Sequence, residues 1–100
     1  MSYAETELKV IQWGEKRGIV QHSTPLAQAK KTLSEVEELF YAIQTNDKAK
    51  MEDVYGHILV TLVMGCACAD LDLITCFDNA YQEIKNRKGQ LNAEGLWVKE

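Results

Sequence analysis

The sequence predicts an all-α fold, and three observations carry that expectation. Proline occurs once in 100 residues, at position 25, where it interrupts no helical pattern. Apolar residues recur at spacings of three and four along Leu26, Ala29, Leu33, Val36, Phe40 and Ile43. Polar, turn-forming clusters such as "QTND" separate the patterned segments. The chain length fits one domain, residues 1–100, and neither a repeat nor a linker divides it.

The first helix is expected from about Tyr3 to Arg17, with Ser2 as its cap and Gly18 ending it in a left-handed conformation. Leu8, Ile11 and Ala4 share a face there, and Gly14 weakens the segment. The second helix has the strongest start signal, Thr24 as N-cap followed by Pro25 in the first turn. It carries the apolar seam and ends near "QTND". The third is expected from about Met51 to Ala69, opening on Glu52 and Asp53, which suit the helix dipole. Beyond His57 it is apolar on nearly every side, so it must be covered on every side. So short a chain has few helices to do that, and an oligomer is expected. A strand reading of "HILVTLV" is the alternative. Asp70 or Asp72 caps a fourth helix, with Ile74, Phe77, Ala80 or Tyr81, and Ile84 as its stripe. Lys85, Arg87 and Lys88 fill its last turn, and Gly89 ends it. The tail "QLNAEGLWVKE" is expected to pack back as an extended clamp.

Net charge is -4, from 11 basic and 15 acidic side chains, which argues against a dedicated nucleic-acid surface. The three cysteines, Cys66, Cys68 and Cys76, are odd in number and so form no complete disulfide framework. They read as free thiols in a reducing cytosol, with Cys66 and Cys68 as small buried hydrophobes. The start "MSYAETELKV" lacks the apolar core of a signal peptide, and the run Ile58 to Ala69 is too short to span a bilayer. A cytoplasmic protein with no membrane partner is the expectation.

Two acidic pairs suggest chemistry. Glu35 and Glu38 are neighbours on one helix face, which Lys31 and Ala42 share and which lies opposite the seam of Leu33, Val36 and Phe40. As structure alone, they are the solvated side of an amphipathic helix. Asp53 and His57 also share a face, four residues apart, as a dipole-facing acid and a histidine near a helix start. As a functional pair of helices, the acids would offer oxygen ligands to a hard cation such as Mg²⁺ at one level of a bundle. Spacing alone leaves both readings open.

The order "TPLAQAKKTLSEVEELFYAI", "EDVYGHILVTLV", "AYQEIKNRKG" resembles the MazG-like nucleotide pyrophosphohydrolases, most closely the small single-domain kind carried by bacteriophages. The resemblance runs from about Trp13 to the final "GLWVKE". It implies an all-α, four-helix bundle completed as a homodimer or homotetramer. It implies release of pyrophosphate and a nucleoside monophosphate from a nucleoside triphosphate, with Mg²⁺ or Mn²⁺. By that resemblance Glu35 and Glu38 are catalytic, and Glu35, Glu38, Asp53 and His57 hold metal. Gln28, Lys31, Lys85 and Arg87 bind the phosphates, and Trp13 either packs in the core or stacks on the base.

The chain departs from the family pattern at two places. Ser34 stands where a glutamate is common, and His57 where a second acid is expected. Imidazole in place of carboxylate weakens a Mg²⁺ site most and suits Mn²⁺ or softer ions better. The alternative is therefore a catalytically impaired relative that binds a nucleotide or a protein partner.

Overall fold

Local side-chain caps set the helix starts. In the computed structural model, which describes residues 1–100, the Ser2 hydroxyl accepts from the Glu5 amide and α1 runs Tyr3–Lys16. Gly18 turns left-handed, with φ 75°, and feeds a one-turn helix α2, Ile19–His22, that the sequence pattern did not announce. Thr24 accepts from the Ala27 amide and Pro25 opens α3, Pro25–Gln44, as its sequence signal predicts.

Asn46, left-handed at φ 54°, and Asp47 make a tight connection to α4, Lys48–Cys68. The Asp47 carboxylate accepts from the Lys50 amide, so α4 starts one turn before the expected Met51. The segment "HILVTLV" is helical throughout, which removes the strand alternative. Asp70 is left-handed at φ 58° and Asp72 caps α5, Leu73–Ile84. Lys85, Arg87 and Lys88 follow α5 instead of filling its last turn.

The tail also differs from expectation. Gly89 does not close a helix but starts β1, Gly89–Leu91, which pairs antiparallel with β2, Trp97–Lys99, in the register Leu91↔Trp97. Asn92 holds the turn by accepting from the Glu94 and Leu96 amides. Leu91, Trp97 and Val98 remain exposed, so the hairpin does not pack back as a clamp.

The fold is thus mostly helical, with α3 and α4 forming an antiparallel hairpin and α1 and α2 lying against α4. A hydrogen bond of 2.7 Å between the Thr32 and Thr61 hydroxyls fixes the register of α3 on α4. The core is small: Ala42, Val54, Val63 and Met64 are its buried apolar residues. Gly14 lies against Met64, and a Cβ there would press on the Met64 Sδ. The glycine that weakens α1 as a helix is what lets α1 approach α4.

Two expected faces are inverted. On α1 the residues that turn inward are Glu7 and Gly14, while Leu8 is exposed. On α3 the residues buried against α4 are Glu35 and Ala42, while Leu26, Leu33 and Phe40 are exposed. The reason is that α3 and α4 meet through small side chains (Thr32, Ala42, Thr61, Gly65), which allow close approach, and the large residues are left on the outside. By length and composition α4 is the one helix long and apolar enough to cross a membrane. Here it packs along α3 and against α1 as the central helix of the bundle.

α5 leaves this body as an arm. Its first turn is tethered to α1 by Glu7, whose carboxylate accepts the Tyr3 hydroxyl at 2.7 Å and the Ile74 amide at 3.4 Å. Phe77 rests near Tyr3, with ring centroids 6.5 Å apart. Beyond that contact its stripe of Phe77, Tyr81 and Ile84 is exposed.

Candidate functional site

Glu35 is the acid with the most unusual surroundings. It sits in mid-helix on the α4 side of α3, one turn beyond Thr32, and is 7% exposed. One oxygen, Oε1, lies 3.4 Å from the Lys31 ammonium, which is itself mostly exposed. The other, Oε2, is buried and has no hydrogen-bond partner. A buried carboxylate oxygen left without a donor is costly, so its position calls for a missing partner. The expectation that Glu35 belongs to the solvated side of α3 is therefore overturned.

Glu38 lies one turn further on, exposed and outside any ion pair. Gln28 lies two turns earlier on the same face; its amide donates to the Ser23 hydroxyl at 3.0 Å. Gln28, Thr32 and Glu35 thus form one line along α3, with Lys31 beside it.

Asp53 and His57 sit on α4 in a different arrangement. Both are exposed, and the Asp53 carboxylate lies 3.8 Å from His57 Nδ1 and 3.9 Å from the Lys50 ammonium. The Thr32–Thr61 contact and the antiparallel direction put Glu35 level with Ile58, next in sequence to His57. His57 itself opens toward α1. It lines a cleft of about 430 Å³ with Thr6, Lys9, Val10, Trp13 and Val60.

That cleft is the second feature of the site. Trp13 is 41% exposed there, so it is not a core residue. The Arg17 guanidinium lies 4.7 Å over its ring, and Arg17 also donates to the Trp13 carbonyl at 3.3 Å. The half-exposed Trp13 ring, with Arg17 over it and Lys9 and His57 lining the cleft, makes an aromatic pocket with a polar edge. Lys9 was missed by the sequence reading. Its signal was the four-residue spacing from Trp13, which puts both on one face of α1.

Lys85 and Arg87 lie beyond the α5 arm and are exposed. Lys85 donates to the Gln82 side chain at 2.6 Å, and neither residue pairs with an acid. The four residues expected to hold a cation are not gathered in a single chain. No three His, Cys, Asp or Glu side chains come together as a metal-holding group. The buried Glu35 Oε2 is one oxygen of the kind a hard cation binds.

Cys66 is half-buried, and burial pushes its thiol up, assisted by the neighbouring Cys76 thiol. Burial therefore disfavours its thiolate form. What fold and site define is a mostly helical chain with a buried, half-paired carboxylate and a neighbouring aromatic cleft. Comparison with protein-family models, curated proteins and solved structures finds no match for this chain.

Proposed function

We propose that the chain is a subunit of a MazG-like pyrophosphohydrolase, a divalent-metal-dependent enzyme that releases pyrophosphate from a nucleoside triphosphate. The observation that carries the reading is the buried Glu35 with its unpartnered Oε2, one turn from the unpaired Glu38. Glu35 and Glu38 hold Mg²⁺ or Mn²⁺, joined by Asp53 or His57 in a bundle completed by a second copy. When bound, the cation supplies positive charge against phosphate oxygens and acidifies a water. Glu38 would orient that water or take its proton. Lys31 and Gln28, flanking Glu35, bind phosphate oxygens, with Lys85 and Arg87 reaching the phosphates from the far end of α5. The Trp13 cleft takes the base.

The test is pyrophosphate release from a panel of ribo- and deoxyribonucleoside triphosphates, with Mg²⁺ and then Mn²⁺. Release that disappears in Glu38→Ala supports the reading. Absence of release from the folded protein with either ion sinks it.

A second reading, a nucleotide-binding relative without turnover, is favoured by one observation. Asp53 is paired with Lys50 and His57 at the surface, and no three-donor group forms. His57→Asp separates the two. A working but weakened Mg²⁺ site gains turnover from the added carboxylate, whereas a binding relative shows nucleotide affinity and no release before or after the change.

A further inference from the structure

The α5 arm is held to the body at few points, and two thiols sit where it is attached. Its first turn is tethered through Glu7, and Phe77 rests near Tyr3. Cys66 stands in the last turn of α4 and Cys76 in the first turn of α5. The connection between them bends back sharply. The Leu71 amide donates to the Cys66 carbonyl at 2.8 Å, Asp70 is left-handed at φ 58°, and the Cys76 amide donates to the Asp72 carbonyl at 3.1 Å.

The side chains follow the backbone. Cys76 opens into an apolar cleft of about 540 Å³ with Tyr3 of α1 and with Leu59 and Leu62 of α4. Leu62 and Cys66, four residues apart, share a face of α4 and line a second groove together. Cys76 therefore faces the side of α4 that carries Cys66, and the two thiols are close enough to interact side chain to side chain. Cys68 is turned about 200° from Cys66 around the helix and donates to the Ile19 carbonyl at 3.7 Å, on the α2 side. Two of the three thiols are thus paired in space and the third is engaged elsewhere.

Their exposure divides the chemistry between them. Cys76 is exposed and Cys66 half-buried. An accessible thiol beside a shielded one suits oxidation of the first and resolution by the second. We propose that Cys66 and Cys76 form a reversible disulfide that clasps α5 to α4 in the presence of a hydroperoxide. The Cys76 thiolate attacks a peroxide oxygen, the O–O bond breaks, and Cys76 becomes a sulfenic acid as the other oxygen leaves and is protonated to water. The Cys66 sulfur then attacks the Cys76 sulfur, the S–S bond forms, the S–O bond breaks, and the Cys66 proton leaves with the hydroxide as the second water. The two thiols give up two electrons and two protons, and hydrogen peroxide takes them up to become two waters. Exchange with a reducing thiol opens the link again. The inference needs none of the proposed pyrophosphohydrolase chemistry.

The test is hydrogen peroxide treatment of the full chain, then alkylation of the free thiols and mass analysis after cleavage at aspartates. Asp70 and Asp72 lie between Cys76 and the other two cysteines, so the fragments separate them. The expected product is a chain two hydrogens lighter, with Cys66 linked to Cys76, Cys68 still alkylated, and full reversal by dithiothreitol. Cys68→Ser forms the same link, and Cys76→Ser forms none. In the oxidised chain, amide hydrogen exchange in the first turn of α5 slows several-fold. Oxidation of Cys76 to sulfenic or sulfinic acid with Cys66 still free to alkylate overturns the inference. So does a link through Cys68 or between two chains, and so does a Cys66–Cys76 link that leaves exchange in α5 unchanged.

Discussion

At the scale of single residues, Glu35 carries a buried carboxylate oxygen with no donor, which costs stability. Its partner Lys31 is exposed, and such a pair contributes little. Glu35→Leu should therefore raise stability by about 1–3 kcal/mol, read by urea unfolding, by removing a buried carboxylate with one oxygen lacking a donor. A loss of that size would make Glu35 a structural ion-pair residue instead. The cysteines offer an independent check. Burial holds the Cys66 thiol up, so peptide-resolved alkylation at neutral pH should find exposed Cys76 first and Cys66 much later.

Tyr3 ties residue chemistry to the fold. Burial, with help from the Glu7 carboxylate that accepts its hydrogen bond, pushes its phenol up to about 12 from 10.0. The folded value exceeds the unfolded one, so the protonated form is favoured by folding. Its contribution is fully present below pH 10 and is lost as pH rises through about 12. Stability against heat should fall over that alkaline window in the wild type and fall less in Tyr3→Phe.

At the scale of elements, the two glycines inside helices should respond oppositely to alanine. A Cβ on Gly56 meets nothing within 4 Å, so Gly56→Ala should stabilise α4 by about 1 kcal/mol. At Gly14 a Cβ would press on the buried Met64 thioether. Overpacking of about 1–3 kcal/mol then offsets the helix gain of about 1 kcal/mol, so Gly14→Ala should be neutral or destabilising. Comparing the two melting temperatures checks both, and equal gains would show that α1 does not press on α4.

These elements also mark what the sequence could tell. Ser2 and Thr24 were legible as caps, and Asp72 as one of two candidates, because a cap is a bond to a backbone amide two or three residues away. The one-turn α2 was not, since a single turn carries no period. The buried face of α3 was misread for a deeper reason. Periodicity finds the face with the largest apolar side chains, but α3 meets α4 through Thr32, Glu35 and Ala42. The large residues point where one chain has no partner, and no pattern within that chain says so. Glu35 and Glu38 were legible as candidates from their spacing. The burial of Glu35, and the turn of His57 toward the Trp13 cleft, depend on contacts between distant segments.

At the scale of the whole molecule, the proposed function joins the small core, the exposed apolar residues of α3 and α4 and the ungathered acids. A chain that finishes its core with a second copy would also finish its site there, because α3 and α4 carry both those residues and the acids. Glu35 would then have its oxygen satisfied only in the assembled, cation-loaded state. The most direct test is pyrophosphate release by Glu35→Gln beside the wild type, at equal concentration and with Mg²⁺ and Mn²⁺. The amide keeps the shape and removes the charge. The account predicts turnover in the wild type and its near-complete loss in a variant that stays folded. Turnover that survives in Glu35→Gln would contradict it, because the buried carboxylate would then have no part in the chemistry.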